Sequence, residues 1–188
     1  LFTRMIKQFT RAPLNHASIA FDKELTDVYS FGRKDIHSPW KGGFVKENMY
    51  GLFFRQAKCA IFRCKVTEKQ YSIMVERVRR MMEQKECYKY NLVGLAALWM
   101  KIRLERENAF FCSHFVASMF ELAKIPLVDK PAYWVRPDDI ARSHRVDCIY
   151  NGMLNDYLNA VALPMNIPDS TPALSDEAHA VCRRGRTA

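Results

Sequence analysis

Asn15-His16-Ala17-Ser18-Ile19-Ala20-Phe21 is the stretch on which the fold turns. A histidine opens a run of small and apolar residues. A second such run, Asp27 to Phe31, follows the polar Asp22-Lys23-Glu24-Leu25-Thr26. Two strand-like runs joined by a short polar turn predict a hairpin. Its counterpart lies far along the chain, in Phe110-Phe111-Cys112-Ser113-His114-Phe115-Val116-Ala117, where a cysteine stands at the start of an apolar helix. A thiol there feels the positive end of the helix dipole, which favours thiolate. An imidazole nearby can take the thiol proton and return it to a leaving group. A third polar group behind the histidine would fix its ring. The pattern alone also admits a plain reading: a small buried cysteine ahead of a core helix, and a satisfied histidine at a strand end.

Working outward, residues 2–11 read as a short amphipathic helix, with Phe2, Met5, Ile6 and Phe9 on one face, stopped by Pro13. Gly32 to Gly43 reads as a loop, and residues 52–66 as one or two strands. Thr67 with Gln70 has the form of a capping box, opening a helix to about Gln84 that carries Tyr71, Met74, Val75, Val78 and Met82 at helical spacing. Further helices are expected from Leu92 to Arg106 and from Phe111 or Cys112 to Lys124. Arg136-Pro137-Asp138-Asp139 can start a helical turn. Tyr150 to Leu158 reads as strand or helix. From residue 163 on, Pro164, Pro168 and Pro172 lie among Ser, Thr, Asp and Ala. The expectation is therefore one domain over 1–162 and a poorly ordered tail over 163–188.

The 188 residues are 49% apolar and 26% charged, enough for one domain with a real core. The longest uncharged apolar run, Leu92 to Met100, is far short of the ~18–20 residues of a membrane span. No apolar region follows a basic start, so no signal peptide is read, and a lost leader stays open. Six cysteines in a chain of this length are too sparse for a disulfide scaffold and have no paired metal spacing. They read as reduced thiols in a cytoplasmic protein. The formal charge of +9 points to anionic partners. It is unevenly spread: residues 1–66 hold 12 Lys and Arg against 5 Asp and Glu, and residues 67–188 hold 17 against 15.

Asn15-His16-Ala17-Ser18-Ile19-Ala20, then a hairpin with Tyr29-Ser30-Phe31-Gly32-Arg33, then Phe111-Cys112-Ser113-His114-Phe115-Val116 and Arg136-Pro137-Asp138-Asp139, together resemble a family. They look like the permuted papain-like cysteine hydrolases of the NlpC-type superfamily, related to lecithin–retinol acyltransferase-like proteins. In permuted members the histidine precedes the cysteine, as here. The resemblance covers about residues 1–160 and implies an α+β fold, a small antiparallel sheet packed against helices. It implies Cys112 as nucleophile, His16 as general base, and an acyl-enzyme formed from an amide, ester or thioester.

The family's third polar residue lies on the strand after the histidine. Asp27, Tyr29 and Ser30 are the candidates, and Ser30 is preferred because it falls near the middle of that strand. A hydroxyl departs from the His or Glu often found there and orients an imidazole more weakly. His114 replaces a common Glu or Gln. Residues two apart on a helix point away from each other, so His114 is not expected to be the base. One oxyanion donor is expected from the Cys112 N–H. Tyr29, Tyr90 and Asn91 are the candidates to line a substrate cleft; Tyr90 and Asn91 also read as a helix entry with a packed aromatic. No cofactor is expected, and no metal, since a zinc site from Cys59, Cys64, Cys87 and His114 lacks close paired ligands. The implied substrate is peptide-like, peptidoglycan-derived or an acyl lipid, with peripheral contact to an anionic surface and no nucleic acid. Two other readings stay open: an inactive relative that kept the fold, and a basic module binding a membrane or another anionic ligand.

Overall fold

The computed structural model describes residues 14–33, 42–52, 54, 56–90, 109–162 and 177–184. Expected features elsewhere, namely the helix over 2–11, Asn91, the helix from Leu92 to Arg106, and the tail outside 177–184, lie outside the described residues. The described chain is α+β. In order it runs β1 (Leu14–Ala20), β2 (Val28–Arg33), β3 (Gly42–Lys46), β4 (Lys58–Lys65), α1 (Glu68–Glu83), β5 (Lys89–Tyr90), β6 (Ala109–Phe110), α2 (Cys112–Leu122), α3 (Pro137–Ala141), β7 (Asp147–Met153), α4 (Leu154–Ala162) and β8 (Glu177–Arg184). The strands form one sheet in the order β6-β5-β3-β2-β1-β8-β4-β7. Every neighbouring pair is antiparallel except β5 with β6. No helix among the described residues is long and apolar enough to cross a membrane.

Local chemistry explains the punctuation. In the β1–β2 turn, Asp22 accepts hydrogen bonds from the Thr26 and Asp27 amides and the Thr26 hydroxyl. Leu25, between them, takes a left-handed φ of 56°, a strained setting for a branched side chain, and its side chain is fully buried. At the start of α1 the Gln70 amide donates to the Thr67 hydroxyl, and the Thr67 amide donates to the Gln70 side chain.

Strand alternation sorts the core onto two faces. One face presents Ala17, Ile19, Tyr29, Phe31, Phe44, Ala60 and Phe62 to Met74, Val78 and Met81 of α1 and to Phe115, Val116 and Phe120 of α2. The other presents Ala20, Val28, Cys59 and Ile61 to Leu25, Met49, and Leu154, Tyr157 and Leu158 of α4. Phe115 sits 5.4 Å from Phe31 and 5.3 Å from Phe44, ring centroid to centroid, and this fastens α2 to the sheet.

Two expectations change and two are narrowed. Strand β3 arises within and just after the segment read as a loop, because Phe44 supplies a large side chain to the packed face while Gly42 and Gly43 pair with Arg33 and Gly32. Residues 58–65 are a single strand, and 147–162 divide into strand and helix at Leu154. The largest correction concerns the tail. Residues 177–184 are β8, seated between β1 and β4 and antiparallel to both. A strand between two neighbours draws backbone hydrogen bonds from both sides, so weak local preference does not prevent it from forming. Deleting residues 177–188 should therefore remove the cooperative thermal transition followed by circular dichroism. A truncated chain that still melts cooperatively would contradict a central place for β8.

Candidate active site

Cys112 is the first residue of α2, and its N-cap is Phe111, whose side chain has no group to cap with. No acidic residue stands in the first turn. The positive helix end is thus left to the sulfur. The Ser113 hydroxyl pins the helix start from behind by donating to the Val135 carbonyl at 2.7 Å, and near the other end of α2 Glu121 accepts from the Ala132 amide at 2.7 Å.

The sheet is open where the sulfur arrives. The β1–β2 ladder covers only Ile19–Tyr29 and Ala20–Val28. The Phe21 amide donates to Asp27 in the turn, so the amides two and four residues earlier, of Ile19 and Ala17, point to the same side. The Ala17 amide lies past the end of that ladder and donates to the Cys112 sulfur, as does the Ser113 amide at the helix start. The sulfur therefore sits at the fork where β1 and β2 separate. A register irregularity between Leu14 and His16 marks the same end of β1.

His16 completes the contact. Its side chain hydrogen-bonds to Cys112, and its Nε2 lies 2.9 Å from Glu47 Oε1. Cys112 is 6% exposed. Burial by itself pushes a thiol upward. The His16 charge, the His16 hydrogen bond and the two amides outweigh burial and hold the Cys112 thiol below its ordinary value.

The third group therefore differs from the expectation. The carboxylate on the imidazole is Glu47, one residue past β3. Ser30 lies behind it, its hydroxyl donating to Glu47 Oε1 at 2.5 Å, and Ser18 donates to Glu47 Oε2 at 3.0 Å. Glu47 is held by its own amide, which donates to the Val28 carbonyl at 2.8 Å. From there its side chain crosses over β2 to reach β1. Ser30 and Gly32 on the same face of β2 are small enough to leave that path open; even a Cβ on Gly32 would stand 3.9 Å from Glu47 Oε1. Glu47 was hidden by its distance in sequence from both partners. The one sequence signal is that it is the sole acid between Asp35 and Glu68, in the basic third of the chain.

The other expected site residues fall as follows. Tyr29 is on the opposite face of β2 from Ser30. Its ring stacks on Phe44 and its hydroxyl donates to Asp27, so it is a core residue and not a wall of the site. The backbone of Tyr90 pairs with Phe110, two residues before Cys112; its side chain and Asn91 are outside the described residues. His114 packs among Phe110, Phe111 and Tyr133, with centroids 4.7–5.5 Å away. Cys59 and Cys64 are buried in β4, and Cys87 and Cys148 are exposed. Among the described residues, no group of three or more His, Cys, Asp and Glu is arranged to hold a metal ion.

Comparison with family models, with curated proteins and with solved structures finds no match for this chain.

The lowering of the Cys112 thiol is open to a chemical test. Iodoacetamide should alkylate Cys112 with a pH midpoint below the ordinary thiol value of about 8.5. Replacing His16 by Ala leaves burial unopposed by an imidazole, so the midpoint should rise to about 8.5 or beyond. An unchanged midpoint in His16→Ala would mean that the imidazole does not hold the thiolate.

Proposed function

We propose that the protein is a thiol hydrolase of permuted papain-like type that cleaves an amide, ester or thioester bond through an acyl-enzyme on Cys112. The observation that carries this reading is the hydrogen-bonded run Cys112–His16–Glu47, drawn from a helix N-terminus, a strand and the end of another strand. Nucleophile, base and orienting carboxylate within hydrogen-bond reach of one another are the requirement for nucleophilic acyl transfer.

The steps follow from those contacts. Cys112 Sγ attacks the substrate carbonyl carbon, and the carbonyl π electrons move onto its oxygen. The Cys112 amide, at the start of α2, is one donor available to that oxyanion. As the tetrahedral adduct collapses, the bond to the leaving group breaks and the His16 imidazolium hands that group its proton. A thioester on Cys112 remains. His16, now neutral, takes a proton from water, and the resulting hydroxide attacks the thioester carbon. The acid is released, and the sulfur leaves as thiolate beside the reprotonated imidazole. Another acyl acceptor in place of water would make the same site a transferase. Because Glu47 holds Nε2, the proton travels on Nδ1.

The substrate classes that fit are a peptide, a peptidoglycan-derived peptide or an acyl lipid. The formal charge of +9 favours anionic members of these classes. An activated acyl ester with a chromogenic leaving group tests the chemistry without knowledge of the natural substrate. Cys112→Ala should abolish turnover and labelling by a thiol-reactive acyl probe. His16→Ala should lower kcat by about 10²–10⁴-fold, and Glu47→Gln by less, since the amide still occupies the position but brings no charge. Turnover retained in Cys112→Ala, with wild-type Cys112 unlabelled, would refute the hydrolase.

A further inference from the structure

Glu47 is 8% exposed, and burial by itself favours the uncharged form of a carboxyl. A protonated Glu47 would bring no negative charge to His16. Two groups bear on this, and both are fully buried: Ser18 on β1 and Ser30 on β2. Strand alternation turns them to the same face as His16. Ser18 donates to Oε2 at 3.0 Å and Ser30 to Oε1 at 2.5 Å, the oxygen that also meets His16. Each oxygen thus has a hydroxyl donor. Donors to the charged form keep a buried carboxyl ionised, and an ionised carboxylate is an acceptor only. The hydroxyls also come from the two strands that diverge at the sulfur, so they fix the carboxylate over the fork itself.

We propose that Ser18 and Ser30 are positioning residues, which clamp Glu47 as a carboxylate against His16 and thereby set how far toward acid pH the thiolate–imidazolium pair survives. This rests on the thiol hydrolase reading and deepens it. The sign is definite. Losing a hydroxyl donor makes Glu47 easier to protonate and freer to turn away. The imidazolium then loses its anion, the thiolate loses its cation, and the acid limb of Cys112 reactivity moves to higher pH.

The test is the pH profile of iodoacetamide alkylation of Cys112 in the full chain. It is measured for wild type, Ser18→Ala, Ser30→Ala, Glu47→Gln and Glu47→Gln combined with Ser30→Ala. Each serine variant should shift the acid limb upward by about one pH unit, seen as about tenfold slower alkylation at pH values below that limb. Glu47→Gln should shift it as well, and adding Ser30→Ala to it should shift it no further, because an amide has no charge for the hydroxyl to hold. Serine variants with the wild-type acid limb, or a full extra shift when Ser30→Ala is added to Glu47→Gln, overturn the clamp. A wild-type Cys112 with an ordinary thiol midpoint overturns the hydrolase reading instead. The carbon-13 resonance of the Glu47 carboxyl in unmodified protein covers the case of serine variants that do not fold. It should be that of a carboxylate at pH 5, and a protonated carboxyl there would overturn the proposal.

Discussion

A buried thiol gives up its proton more readily only where polar groups answer the resulting charge, and such groups meet around Cys112 at the centre of this molecule. Burial alone would keep Cys112 protonated. The answer comes from three groups: the Ser113 amide at the helix start, the Ala17 amide and the His16 ring. No single element supplies all three. The helix gives direction to the dipole, the strand gives the imidazole and a spare amide, and the separation of β1 from β2 makes the room.

The two faces of the sheet divide the labour. One face carries the aromatic and aliphatic core, where Phe31, Phe44 and Phe115 lock α2 at the height that brings its first residue to the fork. The other carries His16, Ser18, Ser30 and Glu47, a polar row beside an otherwise apolar layer under α4. β1 serves both, because alternation sends Ala17 and Ile19 to one side and His16 and Ser18 to the other. That strand is held on its far edge by β8, with His16 in register with Arg183 and Ala17 with Cys182. The last of the described strands thus supports the strand that carries His16.

Some of this is legible in the sequence. The hairpin, the capping box at Thr67 and the start of a helix at Cys112 are local, because turn residues, side-chain caps and apolar spacing act over a few positions. The fork, β3 and β8 are not. Gly42-Gly43-Phe44-Val45-Lys46 becomes a strand because β2 pairs with it, and Glu177–Arg184 becomes one because β1 and β4 flank it. Ser30 reads as a polar residue in the middle of the strand after the histidine, and it does stand at the site. The group touching the imidazole is Glu47, one residue past β3, and its isolation among basic residues is the one hint of it in the sequence.

The sequence by itself determined the order of histidine and cysteine, the strand and helix that carry them, and a chain with enough apolar content for one core. Those follow from periodicity and caps, which are short-range. Only the tertiary structure decided that a carboxylate stands behind the histidine, that two buried serines hold it, and that residues near the end of the chain lie inside the sheet. Each depends on which strands become neighbours, and strand partnership is settled by pairing across the whole sheet, not by the residues beside one another in the chain.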